Sequence, residues 1–168
     1  MIRNHIWHEM AHAKYWEQYI SQYIGKKIDI REFFSLTIII VSISGGIAGF
    51  WAWQAPVAGC CIIAILQLIV NVRDSIIIDN EAVSKYSDLR DYYIEYFNKL
   101  EKLWLEYDTE LISEQTARDQ YLVLRESTYK IERLKDALHI SKLKRPGKLA
   151  ELQLKKYINY RYSDNQNG

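Results

Sequence analysis

The sequence predicts an all-α membrane protein: an N-terminal amphipathic helix, a two-helix transmembrane hairpin, and a cytoplasmic helical hairpin or coiled coil. Three observations carry that expectation. From Phe33 to Val72, 40 consecutive residues include no Asp, Glu, Lys, Arg or His, in a chain that is 26% charged. Outside that run, apolar residues recur at steps of three and four, the spacing of one helix face. The whole chain has two prolines, Pro56 and Pro146, so long stretches lack the main helix breaker.

Residues 1–32 read as the amphipathic helix. Ile2, Ile6, Met10, Ala13, Trp16 (or Glu17), Ile20 and Ile24 trace one face. Its aromatic residues (Trp7, Tyr15, Trp16, Tyr19, Tyr23) suit packing against a membrane surface or against the helices that follow. The same segment contains His8-Glu9-Met10-Ala11-His12, a formal match to the H-E-x-x-H of zinc peptidases, in which two His one turn apart bind the metal and Glu is the general base. No strand-forming segment lines a substrate cleft, and the only other histidines are His5 and His139. The match therefore reads as coincidence, with no catalytic residue, no metal and no cofactor expected.

The uncharged run, 33–72, is divided as spans 33–53 and 56–72. The first has 21 residues, about 31 Å of helix and one bilayer core. Gln54-Ala55-Pro56 breaks the pattern, and Pro suits the first turn of a second helix. Lys26, Lys27 and Arg31 precede the run and Arg73 follows it, while the turn has no Lys or Arg. The positive-inside rule then puts both termini in the cytoplasm. Ser35, Ser42 and Gly49 recur every seven residues, and Gly45-x-x-x-Gly49 lies beside Gly46. Small residues let helix backbones approach closely in lipid. In the second span Gln67 and Asn71 share a face, and amides in hydrocarbon are best placed against protein or water. This stripe is a candidate for packing between the two spans, for contacts between subunits, or for a pore face. A single hairpin cannot enclose a pore, so a pore requires a homo-oligomer.

Adjacent Cys60 and Cys61 cannot easily close a disulfide and read as small apolar residues. Trp51 to Pro56 (W-A-W-Q-A-P) is similar to the W-D-x-x-E-P turn of mitochondrial calcium uniporters, but both acidic positions are Ala52 and Ala55 here, so no carboxylate ring would form.

Residues 73–141 read as cytoplasmic helices, the first running directly on from the second span. Tyr86, Leu89, Tyr93, Tyr96, Leu100, Leu103 and Tyr107 alternate steps of three and four, a heptad seam that Phe97 and Trp104 widen. A turn is expected near Tyr107 to Ile112, with Ser113 as N-cap. A second stripe follows at Ala117, Tyr121, Leu124, Thr128, Ile131, Leu134 and Leu138. The two helices suit an antiparallel hairpin or an oligomeric stalk, ended by Arg145-Pro146-Gly147. Residues 142–168 form a last helix, about Leu149 to Tyr160, and a polar tail.

Charge is sorted along the chain. The totals are balanced, 22 basic against 21 acidic, which argues against a nucleic-acid partner. Residues 74–114 nevertheless carry 11 acidic and 4 basic side chains, whereas 142–161 carry 7 basic and 1 acidic. Lys142, Lys144, Arg145, Lys148, Lys155 and Lys156 are candidates for contact with anionic lipid, with the acidic helix, or with an anionic ligand such as a nucleotide.

The layout resembles the SLATT superfamily of bacterial two-span effectors found beside nucleotide-signalling and phage-defence genes. The points of similarity are the aromatic-rich first helix (His12-Ala13-Lys14-Tyr15-Trp16 onward), the hairpin 33–72, and the helices continuing from Arg73. Family members more often have an Arg-rich first helix, where Lys14 and the HEMAH stretch stand here. The resemblance implies an inner-membrane effector of anti-phage defence that oligomerises and perturbs the bilayer on a cytoplasmic trigger. Its partners would be the lipid bilayer, further copies of itself, a cytosolic defence-system protein, and in some systems a nucleotide second messenger. The alternative is a membrane anchor that forms no pore and recruits a cytosolic partner through its helices.

Overall fold

The chain folds into α1 (Ile2–Trp51), α2 (Asn80–Asp108), α3 (Glu114–Ser127), α4 (Tyr129–Ala137) and α5 (Lys144–Tyr162). The structure is a computed structural model describing residues 2–51, 64, 67–68, 79–140 and 143–162, with the side chains of 41–51 outside the description. Among the described residues every regular element is a helix and none is a strand. The helices divide into two compact units. The first joins Met1–Ile24 to Val83–Gly168, and the second is Gly25–Ala82.

The core of the first unit is assembled from stripes far apart in sequence. Ile2, Ile6, Met10, Ala13, Trp16, Ile20 and Ile24 of α1 are all buried, as are Tyr19 and Tyr23. Facing them, α2 buries Tyr86, Leu89, Tyr93, Tyr96, Phe97, Leu100, Leu103 and Trp104. Each fully buried large apolar side chain stabilises the unit by about 1.5–3 kcal/mol. The two helices meet through aromatic rings: Trp16 stacks on Tyr93 at 6.1 Å, Tyr23 lies 5.2 Å from Tyr86, and Trp7 lies 5.5 Å from Trp104. No charged or polar residue is buried in the described core.

The seam of α2 thus packs on the N-terminal helix, whose aromatic face was expected against a membrane surface or the later helices, whereas for α2 an antiparallel hairpin with the next helix or an oligomeric stalk was expected. α3 and α4 bury only Ala117 and Ile131. α1 contributes nine buried residues to this core, against one each from α3 and α4.

Three boundaries differ from the sequence reading. The helix expected to run through Thr128 is divided there, because Ser127 and Thr128 turn their hydroxyls back onto the carbonyls of Leu124 (2.6 Å) and Arg125 (2.7 Å). The last helix starts at Lys144, so Arg145-Pro146-Gly147 begins a helix where a break was expected. Pro146 sits in the first turn, where its missing N–H removes no helical bond. Before it, His139 just after α4 takes a left-handed conformation, with φ 44°. Finally, α2 does not run on from the preceding segment at Asp79, which is non-helical. Asp79 Oδ1 accepts the Ala82 N–H at 2.7 Å, as an N-cap does. Ser113 caps α3 as expected, accepting the Thr116 N–H.

In the second unit, Arg31 donates to Asn80 Oδ1 at 2.7 Å. Phe33, Leu36, Ile39 and Ile40 are exposed, Phe33 by 69%. The Thr37 hydroxyl is bonded to the Phe33 carbonyl of its own helix at 2.8 Å. Among the described residues no helix is long and apolar enough to cross a membrane. Most of the second expected span, 56–72, lies outside the described residues, as do the side chains of α1 beyond residue 40.

Candidate functional site

The histidines of the HEMAH stretch lie on α1 and are engaged separately. His8 is exposed. The Glu9 carboxylate accepts from the Tyr96 hydroxyl at 3.4 Å. His12 Nε2 accepts from the Trp16 indole N–H at 2.9 Å. An indole N–H only donates, so this nitrogen keeps its lone pair and the imidazole is neutral. Burial lowers the His12 pKa, Glu9 opposes the shift, and Lys135 adds to it. Among the described residues no three His, Cys, Asp or Glu side chains are grouped to hold a metal ion.

A denser arrangement surrounds Trp16 and Lys14. Lys135 places its ammonium 3.9 Å from the Trp16 ring centre. Lys14 lies between the rings of Phe97 (4.9 Å) and Tyr157 (4.7 Å) and pairs with Glu17 at 2.8 Å. This cation is therefore held by α1, α2 and α5 together.

Glu101 on α2 is the second centre. It accepts from Tyr157 (2.9 Å) and Tyr162 (2.7 Å), and Arg161 approaches to 3.7 Å. Burial, reinforced by the Glu101 bond and charge, pushes Tyr157 up to about 12 and raises Tyr162 as well. Tyr86 is likewise pushed up to about 12 by burial and by Tyr23 beside it, and its hydroxyl donates to the Leu138 carbonyl at 3.1 Å. Tyr93 and Tyr96 are raised chiefly by burial. These phenols are neutral near pH 7, and Tyr86, Tyr96, Tyr157 and Tyr162 donate hydrogen bonds. They tie helices together and are not poised as bases.

A cleft of about 520 Å³ opens between α1 and the start of α5, lined by His12, Tyr15, Trp16, Tyr19, Lys144 and Lys148 among others. Tyr19 accepts the Leu143 N–H at 2.8 Å, and Gly147 lies beside this wall, where an added Cβ would make an ordinary contact 3.4 Å from the Tyr15 hydroxyl. Burial raises Tyr15 and Tyr19, so this wall is also neutral.

The remaining sequence candidates are dispersed. Lys144, Arg145, Lys148, Lys155 and Lys156 are exposed on α5, and Lys142 lies outside the described residues. Ser35 and Gln67 are exposed. Ser42, Gly45, Gly46 and Gly49 fall on α1 where side chains are not described, and Asn71 lies outside the described residues. Sequence reasoning missed Glu101, Tyr157 and Tyr162 as a cluster. They are 56 and 61 positions apart, beyond any local periodicity.

Compared with protein-family models, curated proteins and solved structures, the chain matches none.

Proposed function

We propose that this chain is a bacterial inner-membrane effector of anti-phage defence, with both termini cytoplasmic, that oligomerises through residues 33–72 and perturbs the bilayer on a cytoplasmic trigger. The uncharged run 33–72 carries the membrane part, and the make-up of the first unit carries the number of crossings. Residues on both sides of the uncharged run pack into one core. Both flanks then lie on the same side of a bilayer, and the run between them crosses an even number of times. Forty residues allow two crossings.

The exposed Phe33, Leu36, Ile39 and Ile40 support lipid as the solvent of this segment. The Thr37 hydroxyl, bonded within its own helix, supports it too. The defence role rests on the resemblance to the SLATT superfamily. Expression in bacteria should depolarise the inner membrane, and Gly45→Leu or Gly49→Leu should suppress this by blocking close helix contact. An unchanged membrane potential on expression overturns the effector reading. Full toxicity in both variants overturns the helix-packing step.

One observation favours the anchor reading. Leu111, Leu122, Val123 and Tyr129 are exposed on or next to α3 and α4, a surface suited to a protein partner. An anchor would leave dye-filled liposomes intact and co-purify with that partner.

A further inference from the structure

Helix α5 turns a cationic face outward. Lys144, Lys148, Leu152, Lys156 and Tyr160 follow one another at four-residue steps, forming one ridge of the helix, and all five are exposed. Arg145 and Leu149 form the neighbouring row and Lys155 lies on the other flank, also exposed. The only acid of the helix, Glu151, lies one turn from Lys148 and Lys155 on the side where Lys144 and Lys148 also border the cleft with α1. The α5 cation that does pair with the core is Arg161, on Glu101. The five outward cations make no ion pair among the described residues.

We infer that this outer face of α5 is a docking surface for an anionic lipid bilayer. Charge complementarity sets the sign of the partner, and the apolar residues set its kind. Leu152 is 49% exposed and Tyr160 is 85% exposed, both in the same ridge as the lysines. A phosphodiester chain would satisfy the cations and leave these side chains in water. A bilayer offers headgroup anions to the lysines and the acyl boundary to Leu149 and Leu152, with Tyr160 at the headgroup level. Four of the five cations are Lys, compact charges on flexible stems, which suit mobile headgroups better than the fixed fork geometry of a carboxylate partner.

The inference goes beyond the proposed function and can fail apart from it. The test uses the full chain carrying Cys60→Ser and Cys61→Ser, with a nitroxide on Leu152→Cys. It is added to vesicles of phosphatidylcholine alone or mixed with phosphatidylglycerol. The readout is label accessibility to dissolved oxygen against an aqueous nickel chelate. The expected result is a shift towards oxygen in the anionic vesicles only, reversed by high salt and abolished by Lys148→Glu with Lys156→Glu. Equal accessibility in the two vesicle types overturns the inference, as does an anionic shift that survives the double charge reversal. Alkaline carbonate extraction of the same vesicles reports on the hairpin separately: release overturns the membrane-spanning reading and leaves the α5 result to stand or fall on its own.

Discussion

The Trp16 indole N–H reaches His12 Nε2 across 2.9 Å, one turn back along α1, while the same indole stacks on Tyr93. The neutral state of His12 is thereby tied to the contact between α1 and α2. Because the fold favours the neutral ring, the folded pKa lies below 6.5. The unfolded chain binds the proton more readily, so this contribution is complete above pH 6.5 and is lost as pH falls through the lower folded value. His12→Gln keeps an acceptor for the indole and does not titrate. Urea unfolding should show the wild-type midpoint dropping between neutral pH and about pH 5, with a shallower drop in the variant. Equal slopes would refute the assignment.

Glu101 gathers two phenols onto one carboxylate. Glu101→Ala should destabilise the first unit by about 2 kcal/mol, the scale of hydrogen bonds to a charged acceptor. Tyr157 and Tyr86, both raised to about 12, add an alkaline signature. Their raised values contribute stability that is complete below pH 10 and is lost as pH rises through about 12. Phenolate absorbance followed with helix content should show these groups ionising as the helices melt. Phenolate formation on an intact fold would contradict this.

Glu110 closes α2 with φ 59°, its N–H on the Tyr107 carbonyl at 3.2 Å and the Leu111 N–H on Glu106 at 2.9 Å. This is a Schellman cap with Glu where Gly is usual. A left-handed conformation costs a residue with a Cβ about 1–2 kcal/mol. Glu110→Gly should stabilise the protein by about 1 kcal/mol, the gain being offset in part by the greater freedom of the unfolded chain. A lower unfolding midpoint in the variant would rule this out.

Leu100 is fully buried in α2, and Val123 is 67% exposed on α3. Leu100→Ala should cost about 2–5 kcal/mol, the loss of burial plus a residual cavity. Val123→Ala should stay within about 0.5 kcal/mol. Chemical unfolding of the two variants side by side tests whether α2 or α3 anchors the unit, and similar costs would contradict the observed core.

Local periodicity made the stripes legible. Ile2 to Ile24 and Tyr86 to Leu103 were readable because the spacing of a buried helix face is written within a few turns. Ser113 was readable because an N-cap acts over three residues. The partner of each stripe was not readable, since nothing local says that α2 prefers α1 over α3. Pro146 misled because one residue type serves both to end a helix and to begin one, and only the carbonyls around it distinguish the two. The Glu101 cluster was hidden in charge totals, Glu101 counted with an acidic run and Arg161 with a basic one. The zinc-like spelling was legible and uninformative, because Trp16 and Tyr96, which occupy His12 and Glu9, are not part of the motif.

The discontinuous make-up of the first unit sets the order of events on the ribosome. Residues 1–24 emerge well before their partner, since the seam they pack against begins at Tyr86, after all of 25–82 has been synthesised. Until then Ile6, Met10 and Ile20 belong to an unpartnered nascent helix, which needs shielding by a chaperone or an interface. The whole uncharged stretch is thus synthesised while the core of the first unit is still open, and closure of that core comes last.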